Sequence, residues 1–138
     1  MECVKIFEDA ILPYKVGINE VGYDLTIIRK IKQYDDYTIM YDTGICIKPP
    51  FGFYTEIVPR SSIIKTGWML ANNIGIIDPT YRDSLKIVLK RVNVDTPEIE
   101  LPNRICQLII RPLYNNFRIH EVSQLDDTYR KGGFGSTT

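Results

Sequence analysis

Ile74-Gly75-Ile76-Ile77-Asp78-Pro79-Thr80-Tyr81-Arg82-Asp83-Ser84-Leu85-Lys86-Ile87-Val88-Leu89-Lys90-Arg91-Val92-Asn93-Val94 is the stretch on which the fold turns. Residues 85–94 alternate in polarity and are rich in β-branched side chains, which places Lys86 and Lys90 on one face of a strand. Residues 74–77 form a short apolar run, and Asp78-Pro79 after them is a turn signal. Together they predict a hairpin whose connection spans residues 78–84. Asp78 then stands at a rigid corner.

The rest of the chain has the same character. Its 138 residues include 21 Ile, 8 Val and 10 Thr against only two Ala, which argues against a helical bundle. The length suits one domain with a single core. Asp42-Thr43-Gly44 marks a turn, Pro49-Pro50-Phe51-Gly52 stops any helix, and residues 53–58 read as a strand halted at Pro59. Residues 61–70 could hold a helical turn or two, capped by Ser61 or Ser62, with Ile64 and Trp68 four apart. Ile105-Cys106-Gln107-Leu108-Ile109-Ile110 is a nearly continuous apolar run, and residues 117–122 alternate again. Strands at about ten-residue intervals with Gly and Pro between them describe an all-β sandwich or barrel.

Composition also excludes classes of function. With 17 basic and 17 acidic residues the chain has no global field to gather nucleic acid or an anionic membrane. No stretch approaches the roughly 18 apolar residues of a spanning helix. Met1-Glu2-Cys3-Val4-Lys5 lacks the basic and apolar regions of a signal peptide, so the expected location is cytoplasm or nucleus rather than outside the cell. Cys3, Cys46 and Cys106 share no CxxC spacing and read as reduced, structural thiols. His120 is the only histidine, which removes Ser-His and Cys-His mechanisms.

Some residues sit oddly in a purely structural β-domain. Gln107 interrupts an apolar strand, Asp78 follows three apolar residues, and Arg60-Ser61-Ser62 begins where a strand stops. The tail, Arg130-Lys131-Gly132-Gly133-Phe134-Gly135-Ser136-Thr137-Thr138, combines charge with glycines whose backbone N–H groups can wrap phosphate oxygens. It is not a Walker loop. Phe134 among glycines offers a ring that could close over a flat base.

Five segments, in order, resemble the five motifs of the trimeric deoxyuridine triphosphatases, or dUTPases. They are Val21-Gly22-Tyr23-Asp24-Leu25; Pro59-Arg60-Ser61-Ser62; Asn72 through Gly75-Ile76-Ile77-Asp78-Pro79-Thr80-Tyr81-Arg82; Arg104-Ile105-Cys106-Gln107-Leu108; and Gly132-Gly133-Phe134-Gly135-Ser136-Thr137. The resemblance implies a distorted jelly-roll-like β-barrel of the dUTPase β-clip type over residues 1–123. It implies a flexible Gly-rich C-terminal lid over residues 124–138, exchanged between subunits. It also implies a homotrimer with a site at each subunit interface, and no partnership with nucleic acid or membrane.

By the same resemblance the chain is a dUTP diphosphatase, in which water attacks the α-phosphorus of dUTP in line to give dUMP and pyrophosphate. That keeps uracil out of DNA and supplies dUMP for thymidylate synthesis. Asp78 would position and deprotonate the water. Asn72 and the backbone of Gly75, Ile76 and Ile77 would read uracil, and Tyr81 would pack under the deoxyribose. Arg60, Ser61, Ser62 and Gln107 would hold the phosphates. Phe134 would stack on the base, while Arg130 or Lys131, with Gly135, Ser136 and Thr137, would cap the γ-phosphate. Mg²⁺ would arrive chelated by the triphosphate with no direct protein ligand, Asp24 facing its waters or the tail arginine.

The chain departs from the family pattern in a few places. Tyr129 stands where the tail arginine is usual and Arg130 one residue later, Ser62 replaces a common Gly, and Asp83-Ser84 replaces a Gly-acid pair. Asp42 and Asp83 read as solvated turn residues, and Lys86 as a solvated strand lysine. Two other activities compete: a dCTP deaminase-like enzyme, and a catalytically poor nucleotide-binding regulator. The tail and Asp78 favour the diphosphatase.

Overall fold

The computed structural model describes residues 1–136. Ten strands appear in chain order: β1 (Glu2–Lys5), β2 (Tyr23–Ile27), β3 (Arg29–Gln33), β4 (Thr38–Asp42), β5 (Ile45–Lys48), β6 (Phe53–Pro59), β7 (Trp68–Leu70), β8 (Gly75–Ile77), β9 (Lys86–Arg91) and β10 (Asn103–Pro112). A single 3₁₀ turn, Ser61–Lys65, follows β6. The strands form one four-stranded sheet ordered β2-β10-β6-β8, another ordered β3-β4-β9-β7, and a β1-β5 ribbon. The fold is therefore all-β and jelly-roll-like, and among the described residues no sheet closes into a ring.

Both large sheets pack over one buried cluster. Leu25 and Ile27 from β2, Ile57 from β6 and Leu108 from β10 meet Ile39 and Tyr41 from β4, Ile87 and Leu89 from β9, and Trp68 and Leu70 from β7. Burying each such side chain contributes about 1.5–3 kcal/mol. β9 shows how the pattern arises: Ile87 and Leu89 are buried while Lys86 and Lys90 face solvent. β10 buries Ile105 and Cys106 in succession where its register against β2 shifts between Asn103 and Cys106, and Leu108 and Ile109 in succession farther along.

Three expectations about local structure are corrected. β8 and β9 are not a hairpin: β8 pairs with β6 in the first sheet, while β9 pairs with β4 and β7 in the second. The long connection with Pro79 is not a tight two-residue turn, so the chain crosses the core between the two strands instead of folding back beside itself. Neither serine caps the short helix. Arg60 is its N-cap and makes no side-chain cap bond, and Gly67 at φ 76° ends the segment so that Trp68 is buried in β7 while Ile64 stays exposed. Residues 117–122 form no strand in the isolated chain, and all of residues 113–132 are exposed. Alternation supplies a pairing face but not a partner edge.

The outer face of the first sheet carries polar chemistry. Directly opposed residues share a face, so Asp24, Gln107 and Val58 lie across it in one row and Ile109, Glu56 and Ile76 in the next. Arg111 Nε donates to Glu56 Oε2 at 2.6 Å, and the Tyr54 hydroxyl donates to Oε1 at 2.9 Å. First the Arg111 contact, then the Tyr54 bond, hold the Glu56 carboxyl below its ordinary range. A depressed folded-state pKa stabilises above the usual value of about 4.3 and loses that contribution as pH falls through the folded one. Urea unfolding of the parent should therefore show stability falling from pH 6 to 3.5. In Arg111→Met this Glu56-linked loss should shrink or reverse sign. An unchanged slope would show that the pair adds nothing.

Candidate active site

The phosphate-side residues assemble where β6 ends. Pro59 cannot donate a further ladder bond, and the chain leaves the sheet at Arg60, whose N–H still donates to Ile105 O at 3.0 Å. The Arg60 guanidinium is held at two points: Nε lies 2.8 Å from Asp24 Oδ1, and an Nη1 hydrogen is donated to Arg104 O at 2.9 Å. Asp24 is half-buried, and its second oxygen lies 3.4 Å from Arg104 Nη1. Arg104 in turn contacts the Tyr14 hydroxyl, while Tyr14 O accepts from Asp24 N at 2.7 Å. This network fixes Arg60 before any ligand arrives.

Gln107 lies beside it on β10 and donates to Pro59 O at 3.2 Å. Its packing explains Gly22, since a Cβ there would overlap Gln107 Oε1 and sit 3.0 Å from Ile109 Cδ1. Gly22, Asp24, Arg60, Ser61, Arg104 and Gln107 line one cleft of about 320 Å³, whose rim is formed by Val16, Glu20 and Val21. Ser62 faces a neighbouring cleft on the other side of Arg60, with Tyr14 and Thr26.

The second group lies at the opposite edge of the sheet. β8 pairs with β6 on one side only, so its other edge leaves backbone donors and acceptors available. Gly75 is buried against β6, where a Cβ would lie 3.2 Å from Ile57 Cβ and 3.6 Å from Asn72 Nδ2. Asp78-Pro79-Thr80-Tyr81 is a β-turn closed by Tyr81 N donating to Asp78 O at 3.0 Å, with Pro at the position that presets φ. Arg82 folds back to donate to Pro79 O at 2.5 Å and Tyr81 O at 3.0 Å. Exposed Asp78 opens onto a cleft of about 360 Å³ with Tyr54 and Ile76. The Tyr81 ring packs against the core and its hydroxyl donates to Ser84 O at 2.9 Å.

Within one chain the structure brings together Asp24, Arg60, Ser61 and Gln107, and separately Asn72, Gly75, Ile76, Ile77, Asp78 and Tyr81. β2 and β8 are three strand spacings apart, about 14 Å. Arg130, Phe134, Gly135 and Ser136 join neither group by any hydrogen bond among the described residues. Thr137 lies outside the described residues.

Two residues of the phosphate cluster have no role assigned from sequence, Tyr14 and Arg104, although Arg104 opens the fourth family-like segment. A charged residue opening an otherwise apolar strand was the available signal for Arg104; Tyr14 carried none. Asp42 is corrected: it is buried, with Oδ1 accepting from Gly44 N at 2.8 Å and Oδ2 accepting from Ser84 Oγ at 3.0 Å. Lys86, read as a solvated strand lysine, is exposed on β9, and its Nζ donates to Ser84 Oγ at 3.2 Å. All three cysteines are free, and burial pushes the Cys106 thiol up to about 12, which leaves it inert at neutral pH.

A two-sheet β-domain with an arginine-serine-glutamine phosphate cleft at one edge and a carboxylate beside an open strand at the other has the parts of a nucleotide-binding enzyme. The dUTPase family model matches residues 8–138, and the chain belongs to that family. The deoxyuridine 5′-triphosphate nucleotidohydrolase of Clostridioides difficile is 36% identical over 135 residues, covering 96% of this chain and 94% of its own length. The enzyme of the same name from Finegoldia magna is 42% identical over 134 residues, covering 91% and 90%. Among solved structures, the Staphylococcus bacteriophage 80alpha dUTPase with dUpNHpp superposes with a TM-score of 0.80 at 19% identity, covering 99% of this chain and 97% of that one. At that identity the likeness speaks for the fold.

Proposed function

We propose that the chain hydrolyses dUTP to dUMP and pyrophosphate, water attacking the α-phosphorus in line. Family membership over residues 8–138, joined to the Asp78 turn and the Arg60–Asp24 cluster in one chain, carries the reading. Asp78 takes the proton from the attacking water, which a turn closed on both sides can hold within hydrogen-bond reach. Asn72 and the open edge of β8 read uracil; cytosine, with its reversed edge, would leave those groups unpaired. Tyr81 supports the deoxyribose. Arg60, Ser61 and Gln107 hold the phosphates, with Ser62 on the far side of the same arginine. Phe134 covers the base, and Arg130, Gly135, Ser136 and Thr137 close over the γ-phosphate.

Mg²⁺ enters with the triphosphate in this scheme. The donor set fits that arrangement: Asp24 already engages two arginines, and among the described residues no group of three or more His, Cys, Asp or Glu could hold an ion. When bound, the ion supplies neutralising charge at the phosphates.

Asp78 lies beside Tyr54 at one end of β6 and Arg60 follows its other end, about 20 Å along the strand, so the general base and the phosphate-holding arginine do not converge on one α-phosphorus within a single chain, which supports a homotrimer with composite sites. Residues 1–123 form the body and 124–138 the lid. Among the described residues no helix is long and apolar enough to cross a membrane. The substrate class places the enzyme with the nucleotide pool, in cytoplasm or nucleus.

Purified protein with dUTP and Mg²⁺ should release pyrophosphate; ammonia from dCTP, or binding without turnover, would overturn the proposal. Coexpressing Asp78→Asn with Arg60→Ala tests the composite site. Each variant alone should be nearly inactive. Random trimers should recover about a quarter of parental activity, because that share of interfaces pairs an intact Asp78 with an intact Arg60. No recovery would place the site within one chain.

A further inference from the structure

We propose that the buried Asp42–Ser84 pair positions Tyr81 and thereby sets discrimination against a ribose 2′-hydroxyl. The inference rests on the reading of Tyr81 as the sugar platform. Its structural basis is a continuous chain of bonds. Asp42 closes β4, is 6% exposed, and is anchored by the Gly44 N–H at 2.8 Å. Its other oxygen accepts from the Ser84 hydroxyl at 3.0 Å, and Ser84 is itself only 4% exposed. Ser84 O accepts from the Tyr81 hydroxyl at 2.9 Å. The ring is thus fixed at its hydroxyl end by Ser84 and along its body by the core.

A buried carboxylate costs free energy unless its partners satisfy it. Here they do so only because residues 81–84 loop back to the end of β4. Lys86 Nζ, 3.2 Å from Ser84 Oγ and 3.3 Å from Ser84 O, adds a cation to the same knot. Asp42 and Ser84 contact no substrate in this arrangement; they act through the ring. A platform that excludes one hydroxyl works by a fit of tenths of an ångström, so the staple that prevents tilt controls selectivity more than rate.

The test compares kcat and KM for dUTP and for its ribo analogue UTP in the full chain by pyrophosphate release. Ser84→Ala should leave kcat for dUTP within about threefold, while the dUTP/UTP ratio of kcat/KM falls at least about tenfold. Asp42→Asn, whose amide can still accept from Gly44 N–H and meet the Ser84 hydroxyl, should keep the parental ratio. If Ser84→Ala lowers both substrates equally or leaves the ratio unmoved, the positioning role is wrong. Tyr81→Ala separates the two layers: a collapsed ratio in Tyr81→Ala beside an unchanged one in Ser84→Ala overturns the staple alone. An unchanged ratio in Tyr81→Ala overturns the sugar-platform reading and the staple with it.

Discussion

Asp78→Asn should lower kcat for dUTP by about 10²–10⁴-fold, the usual contribution of a positioned general base, equivalent to about 3–5 kcal/mol of barrier. The amide is nearly isosteric and still accepts a hydrogen bond, so it can hold a water but cannot take its proton. KM should change little, because the phosphates are held at the other edge of the sheet. The fold should also be indifferent. Asp78 is exposed, and its part in the turn is made by its backbone O accepting from Tyr81 N at 3.0 Å, with no hydrogen bond to the carboxylate among the described residues. The informative measurement is therefore kcat at saturating dUTP and Mg²⁺, together with a thermal melt. Full turnover with an unchanged melt would mean another group deprotonates the water.

That prediction draws on a corner visible in the sequence, since Asp and Pro at the first two positions of a turn specify it locally. Other features were equally local. The buried Ile87 and Leu89 between exposed lysines follow from alternation, and the stop at Pro59 follows from the missing N–H. Pairing was not local. Nothing within residues 74–94 says that β8 will bond to Thr55, Glu56 and Ile57 while β9 bonds to β4, because those partners lie up to about 50 positions away along the chain. Charged residues mislead in the same way. Asp42 and Asp83 look alike in sequence, but only Asp42 meets a buried hydroxyl brought from residue 84. Arg104 becomes intelligible only when Asp24 and Tyr14 are placed beside it by the strand register. What local rules supply is each side chain's face; what they omit is which distant group shares it.

The tail makes the second large prediction. Removing residues 130–138 should leave assembly and melting temperature essentially unchanged and reduce kcat by about 10²–10³-fold, the loss expected when a set of charge-stabilising donors is taken away. Stability should survive because no described residue of this segment is buried and its hydrogen bonds among the described residues are internal. Those bonds are informative in themselves. Ser136 N donates to Gly133 O at 3.0 Å and Gly133 N donates to Ser136 Oγ at 2.7 Å, which closes a small turn with Phe134 at its tip. Phe134 sits at φ 52°, with Gly135 after it at 86° and Gly132, two residues before it, at 79°. Glycine tolerates such angles freely, so the flanking residues carry the turn and leave the ring fully presented. The tail therefore arrives with part of its conformational entropy already removed, and closing it over a nucleotide requires ordering the hinge more than the tip. Gly135→Ala should then reproduce much of the truncation by straining the turn, while Phe134→Leu, which keeps the turn but loses the flat face, should raise KM more than it lowers kcat. A truncated chain that retains parental kcat would show that the site closes without its lid.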